Sequence, residues 1–204
     1  MRPALRPGGR RCMHAVQARV VRATSAWIVD AATARRLRRA AGLRDLPSEA
    51  LVTRQASHTP QDPDFESRVR ASFDRQKFMS TLGARLVRVE PGEVDIEVAA
   101  QESLVQQHGF MHAGVVSSAA DSACGYAALS LMPPGTAVLS IEFKTNLLAP
   151  ATGDRIVARG RVIRAGRTVT VCWGEVTAYA GNDERLVATM VATMMTVRDR
   201  GLTD

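Results

Sequence analysis

The sequence predicts an α+β domain in which one antiparallel sheet wraps around a single long helix. Three observations carry that prediction. The elements run helix, two strands, long helix, four strands. The long helix is built mostly from small residues, which lets a sheet close tightly around it. Turn signals separate the strands closely enough for neighbours to pair in antiparallel fashion.

The elements follow in order from about Phe65. Phe65, Val69, Phe73 and the Phe78-Met79 pair recur at near-helical spacing and predict a short amphipathic helix. Ala84 to Val89 and Val94 to Ala99 alternate about Glu90-Pro91-Gly92-Glu93, two strands joined by a turn. His112 to Leu131 is rich in Ala and Ser and stops at Pro133-Pro134-Gly135, which predicts a buried helix. Four strand-like runs complete the domain: Ala137 to Asn146, Arg155 to Arg164, Thr168 to Tyr179 and Leu186 to Val197. Arg164-Ala165-Gly166-Arg167 and Gly181-Asn182-Asp183-Glu184 supply the last two turns, and Ser57 to Asp64, with Pro60 and Pro63, reads as a linker ahead of the domain.

Composition limits the function classes. The 204-residue chain is 46% apolar, enough for a real core. Its longest tract nearly free of charge, Ser103 to Ile141, is broken by His, Gln, Ser, Gly and Pro-Pro, so no membrane span is expected. The net charge of +7 divides unevenly. Residues 1–60 hold 12 Arg and three acids, a net of +9, whereas residues 61–204 hold 15 basic and 17 acidic residues, a net of −2. The domain therefore has no excess of positive charge that would imply nucleic acid. The Arg-rich, acid-poor extension is compatible with a transit peptide, a disordered tail or a start codon placed too far upstream. Cys12, Cys124 and Cys172 are odd in number and widely spaced, which argues against a disulfide framework or a zinc site and for a reducing compartment such as the cytoplasm.

Asp121 is the chemical outlier. Between Glu102 and Glu142 it is the only charged residue, and it sits mid-helix beside Ala119, Ala120, Ala123 and Cys124. Burying a carboxylate costs several kcal/mol unless it is compensated. One reading is a structural carboxylate that crosslinks backbone; the other is a carboxylate desolvated so that its pKa rises toward working pH for base catalysis. The turn that enters the helix, Gln106-Gln107-His108-Gly109-Phe110-Met111-His112-Ala113-Gly114, offers unpaired first-turn N–H groups suited to polarising a carbonyl oxygen.

Together, Gln106, Gly109, His112, Gly114 and Asp121 resemble the Asn-x-x-Gly-x-x-His-Gly-Gly motif of the PaaI-like hotdog thioesterases, with a carboxylate nine residues after the His. The resemblance continues through Ser140 to Pro150 (SIEFKTNLLAP), the RAGRT turn at Arg164 to Thr168 and the final VATMMTV, and covers about Phe65 to Arg198. Its FMxTLG and HAGVV stretches are most similar to bacterial members that hydrolyse medium- and long-chain acyl-CoA. The resemblance implies a hotdog fold and a cofactor-free, metal-free acyl-CoA thioesterase. It also implies Asp121 as general base or nucleophile and the Ala113 N–H as the donor to the thioester carbonyl. Gln106 would orient water or intermediate, and Ser140 would place the water. His112 would hold the turn; with Gly114 and Asn146 it belongs to the expected substrate-binding set. Arg164, Gly166, Arg167 and Thr168 would meet the coenzyme A phosphates. Ala113 and Gln106 depart from the family's Gly and Asn, adding a methyl beside the substrate and lengthening the amide arm.

Helix geometry adds an independent constraint. Ala113 and Asp121 are eight residues apart, about 12 Å along a helix, too far to address one carbonyl carbon. A working site must combine Gln106 and Ala113 of one chain with Asp121 and Ser140 of another, so a homodimer is expected; the resemblance implies the same, often as a dimer of dimers. His108 reads as a loop residue. Met190, Met194, Met195, Trp173 and Tyr126 read as packing residues. Two other functions stay open: a hotdog hydratase or dehydratase, and a non-catalytic acyl-CoA sensor, for which the basic extension is the only motive.

Overall fold

The computed structural model describes residues 58–198 and 201–204; the expectations for the N-terminal extension lie outside the described residues. Helix α1 (Phe65–Arg75) and the short α2 (Lys77–Thr81) lead into strands β1 (Ala84–Glu90) and β2 (Glu93–Ala99). A 3-10 turn (Glu102–Leu104) precedes the central helix α3 (Ala113–Leu129). Strands β3 (Ala137–Leu147), β4 (Arg155–Ala165), β5 (Val169–Ala180) and β6 (Asp183–Val197) follow. The six strands form one antiparallel sheet in the order β1-β2-β4-β5-β6-β3, with α3 packed on it. This is the hotdog arrangement.

Small residues explain how closely sheet and helix approach. Ala119, Ala120, Ala123, Cys124, Ala127 and Ala128 are buried on α3. A Cβ at Gly160 of β4 would lie 2.3 Å from the Ala123 carbonyl, so only glycine lets β4 pass beneath the helix backbone. Ile96, Val98, Ile156, Val176, Met190 and Met194 fill the rest of the interface as fully buried side chains. One face of α3 escapes this cover: Gly114, Ser118, Asp121 and Gly125, at helical spacing, are exposed or half-buried.

The first helix is interrupted rather than continuous. Gln76 leaves helical geometry at φ −78° and ψ 90°, which divides α1 from α2. The packed unit also extends beyond both expected ends. Residues 58–64 look like a linker in composition but are docked on the domain. His58 Nε2 lies 3.2 Å from the Val162 carbonyl, and Gln61 Nε2 donates to the Leu131 carbonyl. Asp62, 6% exposed, pairs with Arg68 at 3.2 Å. Arg68 in turn donates to the carbonyls of Leu129, Met132 and Pro133, where α3 runs out of internal partners. At the other end Asp204 accepts from Ser72 Oγ and from the Val138 N–H, both at 2.8 Å.

Candidate active site

The turn into α3 is organised by its own polar groups. Gly109, at φ 80°, takes a left-handed conformation that side chains disfavour, and its N–H donates to the Gln106 carbonyl at 2.8 Å. Gln106 Oε1 accepts from the His108 N–H at 3.0 Å, which fixes the side-chain amide. His112 is the N-cap, its Nδ1 accepting from the Gly114 N–H at 2.9 Å. This places the ring proton on Nε2 and makes His112 the residue that holds the helix start. A Cβ at Gly114 would come within 3.0 Å of that nitrogen, so glycine keeps the cap open. Ala113 is exposed at the first helical position, and among the described residues its N–H has no acceptor. A free amide at a helix N-terminus is able to donate to an anionic oxygen.

Two turns further on, Asp121 Oδ1 accepts from Ser140 Oγ at 2.7 Å. Ser140 lies just before the β3 bulge at Ile141, where the register against β6 shifts between Ser140 and Glu142. The bulge aims Ser140 at the helix while the remainder of β3 follows the sheet edge. Asp121 is half-buried rather than fully enclosed. Desolvation raises its pKa above the ordinary carboxylate value, against a smaller lowering by the Ser140 hydrogen bond. Asp121 and Ser140 open into a cavity of about 310 Å³ walled by Ser72, Gln76, Gly125 and Tyr126.

The other expected residues divide by location. Asn146 sits near the end of β3, opposite Thr189 of β6, with its Nδ2 3.5 Å from the Thr189 hydroxyl. Because of the bulge its register parity is opposite to that of Ser140, so it lies on the other sheet face from Asp121. Arg164, Gly166, Arg167 and Thr168 form the exposed β4–β5 hairpin. The Gly166 N–H donates to the Val169 carbonyl at 2.9 Å, and a Cβ there would fall 2.5 Å from that oxygen. None of these four lines the Asp121 cavity. Within one chain, Asp121 and Ser140 are brought together; Gln106 and Ala113 form a separate cluster at the helix start. Ser72, Gln76, Gly125 and Tyr126 were not anticipated as site residues. Only Gly125, one turn beyond Asp121, had a local signal.

A thioesterase-family protein from Silicibacter pomeroyi has a crystal structure that is 48% identical in sequence, with a TM-score of 0.65, covering 66% of this chain and 98% of that one. The family model described as "Thioesterase superfamily" matches residues 108–184. The chain belongs to the thioesterase superfamily. The matched stretch holds His112, Ala113, Asp121, Ser140 and the β4–β5 hairpin. The 1,4-dihydroxy-2-naphthoyl-CoA hydrolase of Listeria monocytogenes is 28% identical over 91 residues, 45% of this chain and 74% of that protein. A Saccharolobus solfataricus protein with an esterase name is 31% identical over 90 residues, which span 44% of this chain and just under two thirds (64%) of that relative. The E. coli PaaI protein, at 20% identity and a TM-score of 0.60, shares the fold.

Proposed function

We propose that this thioesterase-superfamily member hydrolyses acyl-CoA to a free acid and coenzyme A, without cofactor or metal. The observation that carries the reading is the Asp121–Ser140 hydrogen bond at 2.7 Å, formed by the lone charge of an apolar helix at the mouth of a cavity. A desolvated carboxylate with a raised pKa is a better proton acceptor near neutral pH than an ordinary one. It either removes a proton from water held with Ser140 or attacks the thioester carbon itself. In both routes, charge building on the carbonyl oxygen meets the free Ala113 N–H, and the Gln106 amide orients the water or intermediate.

The two halves of this machinery belong to two chains. Ala113 and Asp121 stand about 12 Å apart on one helix. The uncovered stripe of α3 and the free β3 edge, with Leu139, Ile141, Phe143 and Leu147 exposed, support pairing with a second copy. The proposed assembly is a homodimer or a dimer of dimers in the cytoplasm. The coenzyme A phosphates would be met by Arg164 and Arg167 and by the backbone at Gly166 and Thr168. Medium- or long-chain acyl groups, and aromatic ones, are the proposed acyl class. The name of the Listeria monocytogenes relative supports a coenzyme A thioester as substrate.

Mixed dimers test this reading. Asp121→Asn and Gln106→Ala proteins are each expected to be impaired in thiol release from acyl-CoA. Co-refolding equal amounts should restore about one quarter of wild-type activity, because half of the dimers are mixed and each carries one intact site. No recovery would place both halves in one chain and reject the shared site.

A further inference from the structure

Ser140 Oγ faces two acceptors with one proton to give. It donates to Asp121 Oδ1 at 2.7 Å and also lies 3.4 Å from the Met194 sulfur, a hydrogen-bonding distance for a thioether. These are the two protein acceptors within its reach among the described residues. Met194 is the register partner of Ser140 across β3 and β6, and its side chain is fully buried. The β3 bulge begins only after Ser140, so serine and methionine share the helix-facing side of the sheet. From the sequence Met194 reads as packing, a role that leucine would fill as well. Leucine would leave Ser140 with Asp121 alone.

The second acceptor matters when Asp121 loses its charge. While Asp121 is ionised it holds the Ser140 proton, and the sulfur accepts nothing. Once Asp121 has taken a proton, its O–H can donate to Ser140 Oγ along the same contact, provided that the serine proton turns elsewhere. Met194 is where it can turn. Burial and Ser140 are what move the Asp121 pKa. Arg75 of α1 and Asp204 share the cavity, Asp204 being held by Ser72 Oγ and the Val138 N–H, and Asp74 stands near Tyr126. Cys124, three residues beyond Asp121, and Cys172 of β5 are kept neutral by burial. The charged residues of β1, β2 and β4 lie on the outer face, where Arg85 meets Glu97 and Arg159 meets Asp95, opposite buried Val94, Ile96, Ile156 and Ala158. Glu175 of β5 bonds Trp173 on that face, and after the bulge Glu142 and Lys144 turn to it as well.

We infer that Met194 is a positioning residue for hydrolysis: its sulfur takes the Ser140 hydroxyl proton when Asp121 becomes protonated, so that the serine changes from donor to acceptor without leaving the contact. The inference rests on the proposed reaction with Asp121 as proton acceptor. The proton that Asp121 gains comes from the attacking water. Ser140 keeps its own proton and only rotates, and no bond to sulfur forms. The neutral carboxyl is stabilised, which makes Asp121 the stronger base.

The test compares wild type, Met194→Leu, Ser140→Ala and the double variant, with a thermal melt of each. The Asp121 carboxyl is titrated by carbon NMR, its signal assigned by loss in Asp121→Asn, and kcat and KM for octanoyl-CoA are followed over the same pH range. Met194→Leu should lower the Asp121 pKa by about half to one pH unit and kcat by about three- to tenfold, with KM unchanged, the scale of one weak hydrogen bond. In the Ser140→Ala background the same substitution should change neither. A merely structural role would act the other way, because a displaced Ser140 lets the Asp121 pKa rise. An Asp121 pKa that stays or rises in Met194→Leu, or that falls equally without Ser140, overturns the role of Met194. Should Met194→Leu fail to fold, norleucine in place of methionine removes the sulfur and keeps the shape. The same fall, seen with Ser140 and absent in Ser140→Ala, then supports the inference, and no fall overturns it. If wild type releases no thiol, the proposed hydrolysis has failed, and the NMR titration alone decides whether Met194 favours the protonated carboxyl.

Discussion

Replacing Asp121 with Asn separates its chemical role from any structural one. Asparagine keeps the shape and still accepts from Ser140 Oγ, so the 2.7 Å contact can persist. It cannot take a proton or attack a carbonyl carbon. Loss of a positioned general base costs about 10²- to 10⁴-fold in rate, or about 3 to 5 kcal/mol of transition-state stabilisation. Stability should move the other way. Burial raises the folded-state pKa of Asp121 above its unfolded value, so the folded chain holds the proton more tightly. That stabilisation is complete below the unfolded pKa, about 4, and is lost as pH rises through the raised folded value. At pH 7 the wild type carries the cost of an ionised, partly desolvated carboxylate, and the amide does not. The measurements are kcat/KM for acyl-CoA hydrolysis from pH 4 to 9 and thermal melts of both proteins at pH 3.5 and pH 7. Asp121→Asn should be nearly inactive and at least as stable as wild type at pH 7, with any stability advantage gone at pH 3.5. The acid limb of the wild-type profile should lie above the ordinary aspartate range. Near-normal activity in the mutant, or a mutant clearly less stable at pH 7, would refute the argument and leave Asp121 as a structural crosslink.

Ser140→Ala removes the hydrogen bond that holds the Asp121 pKa down. The acid limb should therefore move to higher pH, and kcat/KM should fall about 10- to 100-fold, the range for a hydrogen bond to a charged group; a limb that moves down contradicts the geometry. Gly160→Ala would place a methyl 2.3 Å from the Ala123 carbonyl and 2.5 Å from the Cys124 nitrogen, both backbone atoms. Helix and sheet must then separate, at a cost of about 3 kcal/mol, seen as a Tm lower by roughly 6 to 12 °C. Arg68→Ala leaves Asp62 buried without its cationic partner and uncovers the carbonyls of Leu129, Met132 and Pro133 at the end of α3. A loss of about 3 to 5 kcal/mol is expected in urea unfolding, partly recovered when Asp62→Ala is added.

The elements of the domain were legible because each carried its own local signal. Alternation about the Glu90–Glu93 turn marked β1 and β2, and Pro133-Pro134-Gly135 marked the end of α3. Asp121 stood out because charge is rare in an apolar helix, and its spacing from His112 and Ala113 follows from chain geometry alone. The docked stretch His58 to Asp64 was missed. Its prolines and polar residues look like a linker, and its partners, Arg68, Leu131 and Val162, are distant in sequence or belong to other elements. The break at Gln76 was also hidden, because the apolar spacing continues across it.

By itself, then, the sequence marked the order of strands and helices, the lone carboxylate of α3 and the turn that enters that helix, since each depends on residue type and local spacing. The tertiary structure decided what surrounds them. The β3 bulge turns Ser140 toward Asp121, and α1 and α2 bring Gln76 to the same cavity as Tyr126 and Gly125. Those neighbours come from segments tens of residues apart. Only the folded packing of these segments around a small-residue helix brings them to one cavity.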